Sequence, residues 1–314
     1  MSFGDQIHNT LFLENNDIAD APVYFHIETA NRCNLHCKMC SKDKWNISNN
    51  NMSLETFAKI ISRIDKAELI TLFGLGEPLT NPDIFKMIRI CKERGFPTAF
   101  TTNGYLLDLE NRKEVIKSGL DFIRFSVDAV EPSTNNIGHN YSETVLDNIK
   151  KMVLMRGENK KPNIIFNTTV HHTNIEEVKK VITYAKDLGI DGVNLIAVVP
   201  KFSSVSVKSM PLEEGLKIYR ELVDFGKSIV FSVWGSGFYE RTGGNLRLKW
   251  KFCPRTTNYL YVNEFSDVTP CCWMPRFKIG NIFEQSISEI WHGNKCKQFR
   301  ENWRQICGDC NLMK

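Results

Sequence analysis

The sequence has no long hydrophobic run and no N-terminal targeting pattern. No apolar stretch approaches the about 18 residues that a transmembrane helix needs. The N-terminus, MSFGDQIHNTLFLENND, lacks the basic start and the apolar core of a signal peptide. The sequence therefore predicts a cytoplasmic protein without a membrane segment.

Long runs of charge of one sign are also missing. The chain has 40 Lys and Arg against 36 Asp and Glu, a formal net charge of +4, and it has no dense basic cluster. A protein that follows a nucleic-acid backbone concentrates Lys and Arg on one surface. We therefore expect no nucleic-acid partner.

Cysteine, in contrast, is plentiful, with ten residues in a chain of 314. Disulfides are disfavoured in a reducing cytoplasm, and a chain of this length can bury a core without them. Three cysteines lie within eight residues near the N-terminus, and six lie between Cys253 and Cys310. Clustered cysteines in such a protein are typical of metal or iron–sulfur ligands.

Apolar, β-rich runs alternate with amphipathic helical patterns along most of the chain. Strands are predicted at 23–29, 69–74, 97–102, 122–127, 163–170 and 192–199, with helices near 54–66, 83–94, 109–118, 141–156 and 175–188. This alternation predicts right-handed βαβ units and a parallel sheet. Six units favour the α/β class, as a partial (β/α)6 or a full barrel of the TIM type in preference to an open sheet, although periodicity alone does not decide between them.

Three parts of the chain can be distinguished. Residues 1–22 form an N-terminal extension, 23–235 the (β/α)6 core, and 246–314 a small cysteine-rich C-terminal domain. The stretch SGFYERTGGN between the last two is typical of a loop.

The stretch CNLHCKMC places Cys33, Cys37 and Cys40 directly after the first predicted strand. Active sites of parallel α/β folds lie at the carboxyl ends of the strands. Three thiolates can hold three irons of a [4Fe–4S] cluster and leave the fourth iron an open position. The alternative is a zinc site completed by His36 or His26, although the loop is tighter than a usual zinc knuckle.

This Cys-x3-Cys-x2-Cys pattern resembles the signature of the radical S-adenosylmethionine (SAM) superfamily. The resemblance implies that the open iron chelates the amino and carboxylate groups of SAM. Reductive cleavage of SAM then yields a 5′-deoxyadenosyl radical, which abstracts a hydrogen atom from the substrate. It also implies that Met39 packs near the adenine, and that a partner such as flavodoxin or ferredoxin supplies electrons.

The segment GLGEP (74–78) after the second strand resembles the family's GGEP segment, which binds the SAM amino group. The resemblance implies that Gly76 allows close backbone approach, that Glu77 accepts hydrogen bonds from the ammonium group, and that Pro78 fixes the exit of the loop. A turn that merely ends the strand is the alternative.

Polar residues at the next strand ends extend the resemblance. It implies SAM contacts for Asn103 of TTNG, for Ser126 and Asp128 of FSVDA, and for Asn167 on the fifth strand. We expect Ser126 and Asp128 to share one face of the strand, because they are two residues apart. Any of these residues could instead be a satisfied polar group of the core.

Cys253, Cys271, Cys307 and Cys310 have a spacing that can close either a second [4Fe–4S] cluster or a zinc site. The segment resembles the Twitch domain, the short form of the SPASM domain of radical SAM enzymes, which implies one auxiliary [4Fe–4S] cluster on these four cysteines. Ser266 stands where that family often has glycine, and we expect a slightly different hairpin turn there.

Cys272 directly follows a predicted ligand. A thiol S–H bond is weak enough to give a hydrogen atom to a carbon radical. The chain resembles the aminoglycoside-pathway dehydrogenase and epimerase of the family, which implies a small sugar-like or cyclitol substrate. The leading hypothesis is epimerisation at a carbinol carbon with Cys272 as the hydrogen donor, and the alternative is that Cys272 is a bystander.

Three other functions remain open. One is dehydrogenation of the same alcohol, with the electron passed to the auxiliary cluster. Another is maturation of a ribosomally made peptide, although such enzymes usually carry an N-terminal peptide-binding domain and the first strand here begins at residue 23. The last is a non-catalytic metal scaffold, which leaves the GEP and Thr-Asn-Gly segments unexplained.

Overall fold

The protein is described from a computed structural model. The described residues are 18–37, 39–40, 42, 47–132, 142–197, 212–235, 253–275 and 277–307. Cys310 and most of the predicted N-terminal extension lie outside these ranges.

One ten-stranded sheet organises the described part of the chain. The strands are β1 (Tyr24–Ile27), β2 (Leu69–Leu72), β3 (Thr98–Thr102), β4 (Phe122–Ser126), β5 (Asn163–Val170), β6 (Gly192–Ala197), β7 (Val233–Gly235), β8 (Tyr259–Val262), β9 (Asp267–Thr269) and β10 (Gly280–Asn281). Their order in the sheet is β10-β9-β8-β1-β2-β3-β4-β5-β6-β7. From β8 through β1 to β7 every pairing is parallel, and β8, β9 and β10 pair antiparallel at one edge.

Amphipathic helices connect the parallel strands. They are α1 (Leu54–Ser62), α2 (Ile84–Glu93), α3 (Leu109–Lys117), α4 (Glu143–Arg156), α5 (Ile175–Leu188) and α6 (Leu212–Ser228), followed by α7 (Ile287–His292) and α8 (Asn294–Cys307). In α1, Phe57, Ile60 and Ile61 bury one face, and the Ser53 side chain caps the first turn. No helix in the described ranges is long and apolar enough to cross a membrane.

The predicted α/β fold is confirmed, and the sheet is wider than expected. All six predicted strands are present, and β7 adds a seventh parallel strand beyond β6. On the other side, β8 of the cysteine-rich segment pairs residue for residue with β1. The C-terminal segment therefore continues the sheet of the core.

A small apolar cluster closes the sheet at the amino ends of its strands. Tyr24, Leu69 and Ala99 form this cluster, and Phe122 and Tyr259 pack against it. We call this cluster the floor. It leaves the carboxyl ends of the strands as the open side of the sheet.

The hairpin that joins β8 to β9 differs from the expectation. Ser266 has a φ of 65°, the left-handed conformation that favours glycine. The side-chain oxygen of Asn263 accepts hydrogen bonds from the N–H groups of Phe265, at 3.0 Å, and Asp267, at 2.9 Å. The prediction of a different turn is wrong, because these bonds hold the serine in the backbone conformation that a glycine would take.

Two carboxyl groups meet where the C-terminal segment joins the core. The Tyr261 hydroxyl on β8 donates to Oε1 of Glu28, just after β1, at 2.5 Å. Burial and the neighbouring Glu264 raise the pKa of Glu28 to about 8. Hydrogen bonds from Glu28 and Ser48 outweigh burial and lower the pKa of Glu264. The pair therefore holds one proton, on Glu28, near neutral pH.

This shared proton predicts a pH-dependent stability. Folded Glu28 stays protonated up to about pH 8, whereas its ordinary pKa is 4.5, so this pair loses stabilising free energy as the pH rises between these two values. Glu28→Gln keeps an acceptor for Tyr261 and does not titrate. We expect the thermal midpoint of the wild type, relative to that of Glu28→Gln, to fall between about pH 5 and about pH 8.

The exposed Glu158 provides the control for this measurement. A Glu158→Gln variant should follow the wild-type profile throughout. Parallel profiles for the wild type and Glu28→Gln would show that Glu28 ionises in the fold as it does in water.

Candidate active site

A cavity of about 440 Å³ lies on the inner face of the sheet. This volume is within the range of small-molecule sites. Its described lining comes from every second residue of neighbouring strands, since side chains of a strand alternate between its two faces. Among these inward-facing residues are Thr71, Thr101, Arg124, Asn167, Asn194 and Trp234.

Three of the predicted SAM contacts line this cavity. Met39 of the cysteine loop, Ser126 on β4 and Asn167 on β5 all face it. Asn167 also accepts a hydrogen bond from the side chain of Asn194 on β6, at 3.0 Å. Cys272 lines the same cavity. The structure therefore brings residues from both predicted cluster regions to one volume.

The three-cysteine loop begins beyond the end of β1. Cys33, Cys37 and Cys40 are half-buried, and none of them forms a disulfide. The loop turns back on itself, as the N–H of Cys40 donates to the carbonyl of Cys37 at 3.0 Å. Within the described ranges, no three His, Cys, Asp or Glu side chains converge as ligands of a single metal ion.

The GEP turn packs directly on the backbone of the cysteine loop. The N–H of Gly76 donates to the carbonyl of Ala30 at 3.0 Å, and the N–H of Glu77 to that of Arg32 at 2.8 Å. A Cβ added at Gly76 would lie 2.3 Å from the Arg32 carbonyl oxygen. Glycine is therefore required here for the two backbones to approach this closely.

The side chain of Glu77 points into the protein. Its Oε1 accepts from the Thr102 hydroxyl at 2.7 Å, and its Oε2 accepts from the N–H of Asn103 at 2.7 Å. Glu77 is only 2% exposed and is absent from the described lining of the cavity. The end of β3 thus engages this carboxylate, and its contact with the SAM ammonium group stays a prediction.

Asn103 and Pro78 have supporting positions around this turn. The side-chain amide of Asn103 donates to the side-chain oxygen of Asn34, between the first two cysteines of the loop, at 2.9 Å. Pro78 begins a short 3-10 turn (Pro78–Thr80), which the Glu77 side chain caps. Neither residue is among the described residues that line the cavity. Both brace the loop that carries the cysteines.

Asp128 does not share the face of Ser126. It is 1% exposed, and its Oδ1 accepts from the N–H of Thr169 on β5 at 2.6 Å. The predicted common face is wrong because β4 ends at Ser126, and strand alternation does not continue past the end of the strand. In this structure the hydrogen bond of Asp128 links the segment that follows β4 to strand β5.

A histidine that the sequence suggested only as a zinc ligand lies in the cavity beside Cys272. Nε2 of His26 donates to the carbonyl of Phe73 at 2.8 Å, because a carbonyl can only accept. In the neutral ring, Nδ1 then accepts from the Tyr259 hydroxyl at 3.0 Å. The Cys272 thiol interacts with both His26 and Tyr259. Strand alternation in VYFHIET and NYLYV could have placed these side chains on the inner face.

The predicted auxiliary ligands that the structure describes are buried near the C-terminal end of α8. Cys253, Cys271 and Cys307 are 5%, 7% and 8% exposed. Cys253 and Cys307 pack in one small apolar cluster with aromatic residues of α8. Buried thiols in apolar surroundings fit an iron–sulfur cluster, whose charge the thiolates partly balance. Cys310 lies outside the described residues.

The comparisons with known families decide the identity of the core. A family model described as "Radical SAM superfamily" matches residues 27–208, which is more than half of the chain. The chain belongs to the radical SAM superfamily. A model described as "Iron-sulfur cluster-binding domain" (SPASM) matches residues 253–311. The cofactors of this radical SAM protein are therefore SAM and two [4Fe–4S] clusters.

Two curated relatives align over most of this radical SAM protein. The "Tungsten-containing aldehyde ferredoxin oxidoreductase cofactor-modifying protein" of Pyrococcus furiosus is 28% identical over 92% of the chain and 87% of the relative. The "AdoMet-dependent heme synthase" of Methanosarcina barkeri is 23% identical over 94% of the chain and 89% of the relative.

A solved structure shows the same fold. SuiB of Streptococcus suis, bound to its precursor peptide SuiA, superposes with a TM-score of 0.75. The match covers 98% of this radical SAM protein and 73% of SuiB, at 15% identity.

The contact of Gly76 with the cysteine loop yields a prediction about cluster assembly. In Gly76→Ala the backbone must shift, because the new methyl group would lie 2.3 Å from the Arg32 carbonyl oxygen. We expect the reconstituted variant to hold about four irons per chain in place of about eight, and to lose SAM binding. Iron determination and equilibrium binding of SAM measure both effects.

Gly95→Ala is the matched control. Gly95, unlike Gly76, has a positive φ, of 74°, and an added Cβ there meets nothing within 4 Å. This variant loses about 1 kcal/mol to backbone strain and should keep both clusters. A Gly76→Ala protein with the wild-type iron content and SAM affinity would show that the close approach is dispensable.

Proposed function

We propose that this protein abstracts a hydrogen atom from a carbinol carbon of a small sugar-like or cyclitol substrate. Cys272 then returns a hydrogen atom to the opposite face of that carbon, which gives epimerisation. The observation that carries this proposal is that Cys272 lines the same cavity as Met39 and Ser126. The thiol and the SAM-side residues therefore face one substrate volume.

The proposal assigns the cofactors to the cysteines of this chain. Cys33, Cys37 and Cys40 would hold the SAM-binding cluster, since they are half-buried thiols that follow β1. When bound, SAM and this cluster supply the radical that abstracts hydrogen. Met39 and Ser126 would contact SAM from the cavity wall.

Further residues complete the cofactor assignments. Asn167 lines the cavity and would contact SAM from β5, where its side-chain oxygen accepts from Asn194. Cys253, Cys271 and Cys307, with Cys310, would hold the auxiliary cluster.

The step assigned to Cys272 balances as follows. The S–H bond of Cys272 breaks, and its hydrogen atom forms the new C–H bond on the face opposite to abstraction. This leaves a thiyl radical on Cys272. One proton and one electron restore the thiol, and a reducing partner such as flavodoxin or ferredoxin supplies the electron.

Dehydrogenation of the same alcohol is the second candidate. The His26 ring and the Tyr259 hydroxyl form a hydrogen-bonded pair beside Cys272 in the cavity. Such a pair can accept the proton of a substrate hydroxyl, because an imidazole titrates near neutral pH. The same side chains thus support either outcome, and the product tells them apart.

A peptide substrate is the third candidate. SuiB, a structural neighbour, is bound to a precursor peptide, although at 15% identity it supports the fold alone. The names of the curated relatives, a cofactor-modifying protein and a heme synthase, do not repeat the sugar-type substrate that the sequence suggested. A cavity of about 440 Å³ fits a small molecule or a single side chain of a peptide.

An isotope experiment tests the role of Cys272. Reconstituted protein is incubated in deuterated water with SAM, a reductant and a panel of hexoses and cyclitols. Exchange with solvent makes the Cys272 thiol S–D, so an inverted carbon should gain one deuterium. Cys272→Ala should form 5′-deoxyadenosine but no inverted product, as measured by mass spectrometry and NMR.

Cys296→Ala is the control variant, since Cys296 is buried in the main core and is absent from the described cavity lining. It should form the deuterated product as the wild type does. A ketone formed equally by the wild type and Cys272→Ala would establish dehydrogenation. Absence of 5′-deoxyadenosine from wild-type protein with both clusters would overturn radical SAM activity itself.

A further inference from the structure

The inner face of β4 carries a cation that the proposed reaction does not use. Arg124 is the central residue of FIRFS and faces the cavity, two residues before Ser126. Burial lowers the pKa of Arg124 to about 10, and no charged or hydrogen-bonding neighbour contributes to this shift. In the described part of the chain, this guanidinium group thus has no partner that balances its charge.

The other arginine of the cavity differs in this respect. Arg255 lies beside Cys272, Cys271 and Cys253. Burial alone would lower the pKa of Arg255, but these neighbouring cysteines and Tyr259 outweigh it and raise the pKa. Among the described residues that line the cavity there is no Asp or Glu. Arg124 is half-buried and faces the cavity, so an anion bound there would balance a charge that is unfavourable when desolvated without a partner.

Arg124 has a second hydrogen-bond donor beside it. Thr101 on β3 is paired in register with Arg124, and its hydroxyl is buried without a partner in the described structure. Ile165 on β5, the other register neighbour, is apolar. The floor, which includes Leu69 and Ala99, closes the space toward the amino ends of the strands. The two unused donors therefore face only the cavity.

The chemistry of the two donors selects the ligand. A guanidinium group offers parallel N–H bonds that match the two oxygens of a carboxylate. One cation and one hydroxyl balance a single negative charge, as a carboxylate carries. Among the molecules that the cavity binds, two can supply a carboxylate, the substrate and SAM itself. Arg124 is one inward-facing position closer than Ser126 to the amino ends of the strands. Met39 and Leu75 reach the cavity from loops beyond the carboxyl ends of the strands.

We propose that Arg124 and the Thr101 hydroxyl bind a carboxylate group of the substrate, so that the substrate of this protein is a carboxylic acid. This inference rests on the proposed function, because it places the substrate in the cavity that Cys272 and SAM share. It narrows the sugar-like class to molecules that carry an acid group away from the reacting carbon.

Ligand binding to the reconstituted, SAM-bound protein tests this site. The probes are propanoate and its neutral isostere propanamide, and the readout is the thermal midpoint as a function of probe concentration. Propanoate should stabilise the wild type and bind it at least tenfold more tightly than propanamide. Arg124→Gln should lose this preference, and Arg124→Lys should retain part of it. Equal effects of the two probes on the wild type would overturn the proposal.

SAM binding distinguishes the two carboxylate sources. Arg124→Gln should bind SAM within about twofold of the wild type, whereas a tenfold loss would assign Arg124 to the SAM carboxylate and overturn the proposal. Arg89→Gln, at a surface ion pair with Glu114, is the arginine control and should match the wild type with every ligand.

The probe-free stability of the variant gives an independent readout. Arg124→Gln should unfold at the same temperature as the wild type or higher, because it removes an unpaired buried charge. A large loss of stability would mean that Arg124 has a structural partner, contrary to the proposal. If the wild type forms no 5′-deoxyadenosine, the proposed function fails while the propanoate result still decides the carboxylate site.

Discussion

The site depends on the close approach of two backbone segments at the ends of β1 and β2. The GEP turn donates two backbone hydrogen bonds to the segment that leads into Cys33, and Gly76 leaves no room there for a side chain. Glu77 extends this contact to the end of β3 through Thr102 and Asn103. The cysteine loop is thus fixed by three neighbouring strands, although its own residues form no regular element.

The same strand, β1, also fixes the C-terminal segment. β8 pairs with β1 along its whole length, and Tyr261 donates to Glu28 just beyond it. The segments that carry the predicted ligands of the two clusters are therefore both connected to β1, and the cavity lies on the inner face of this strand. Because Cys272 lies in the turn that follows β9, this pairing also sets its position relative to Met39 across the cavity.

Sequence reasoning placed the strands and the motifs well, because hydrophobic periodicity and strand-end loops follow directly from the fold. The family resemblance named Met39, Ser126 and Asn167 as SAM contacts, and these three residues line one cavity. Sequence reasoning was wrong about the face of Asp128, whose carboxylate accepts a hydrogen bond from β5. Loop side chains beyond a strand end follow no alternation, so their direction depends on donors that only the folded chain supplies.

Inner-face residues were missed for a different reason. Arg124 and His26 occupy inward positions that alternation specifies, but a single polar residue within an apolar strand carries no motif. The importance of these two residues appears only when the charges and polar groups of all the lining residues are considered together. Arg124 is an isolated cation in the described lining, which otherwise offers mainly hydroxyl, amide and aromatic groups.

An unpaired cation in a closed cavity gives strong discrimination between acids and their neutral analogues. A neutral sugar would leave the guanidinium group of Arg124 without a partner, and the desolvation penalty of that group would count against the complex. SAM cannot remove the penalty through net charge, since its sulfonium and ammonium groups outnumber its single carboxylate. A carboxylate on the substrate would balance Arg124 and fix one end of the molecule above the floor, which positions the rest of it between SAM and Cys272. The pairing of this carboxylate with Arg124 would then account both for the specificity for an acid and for the orientation of the reacting carbon.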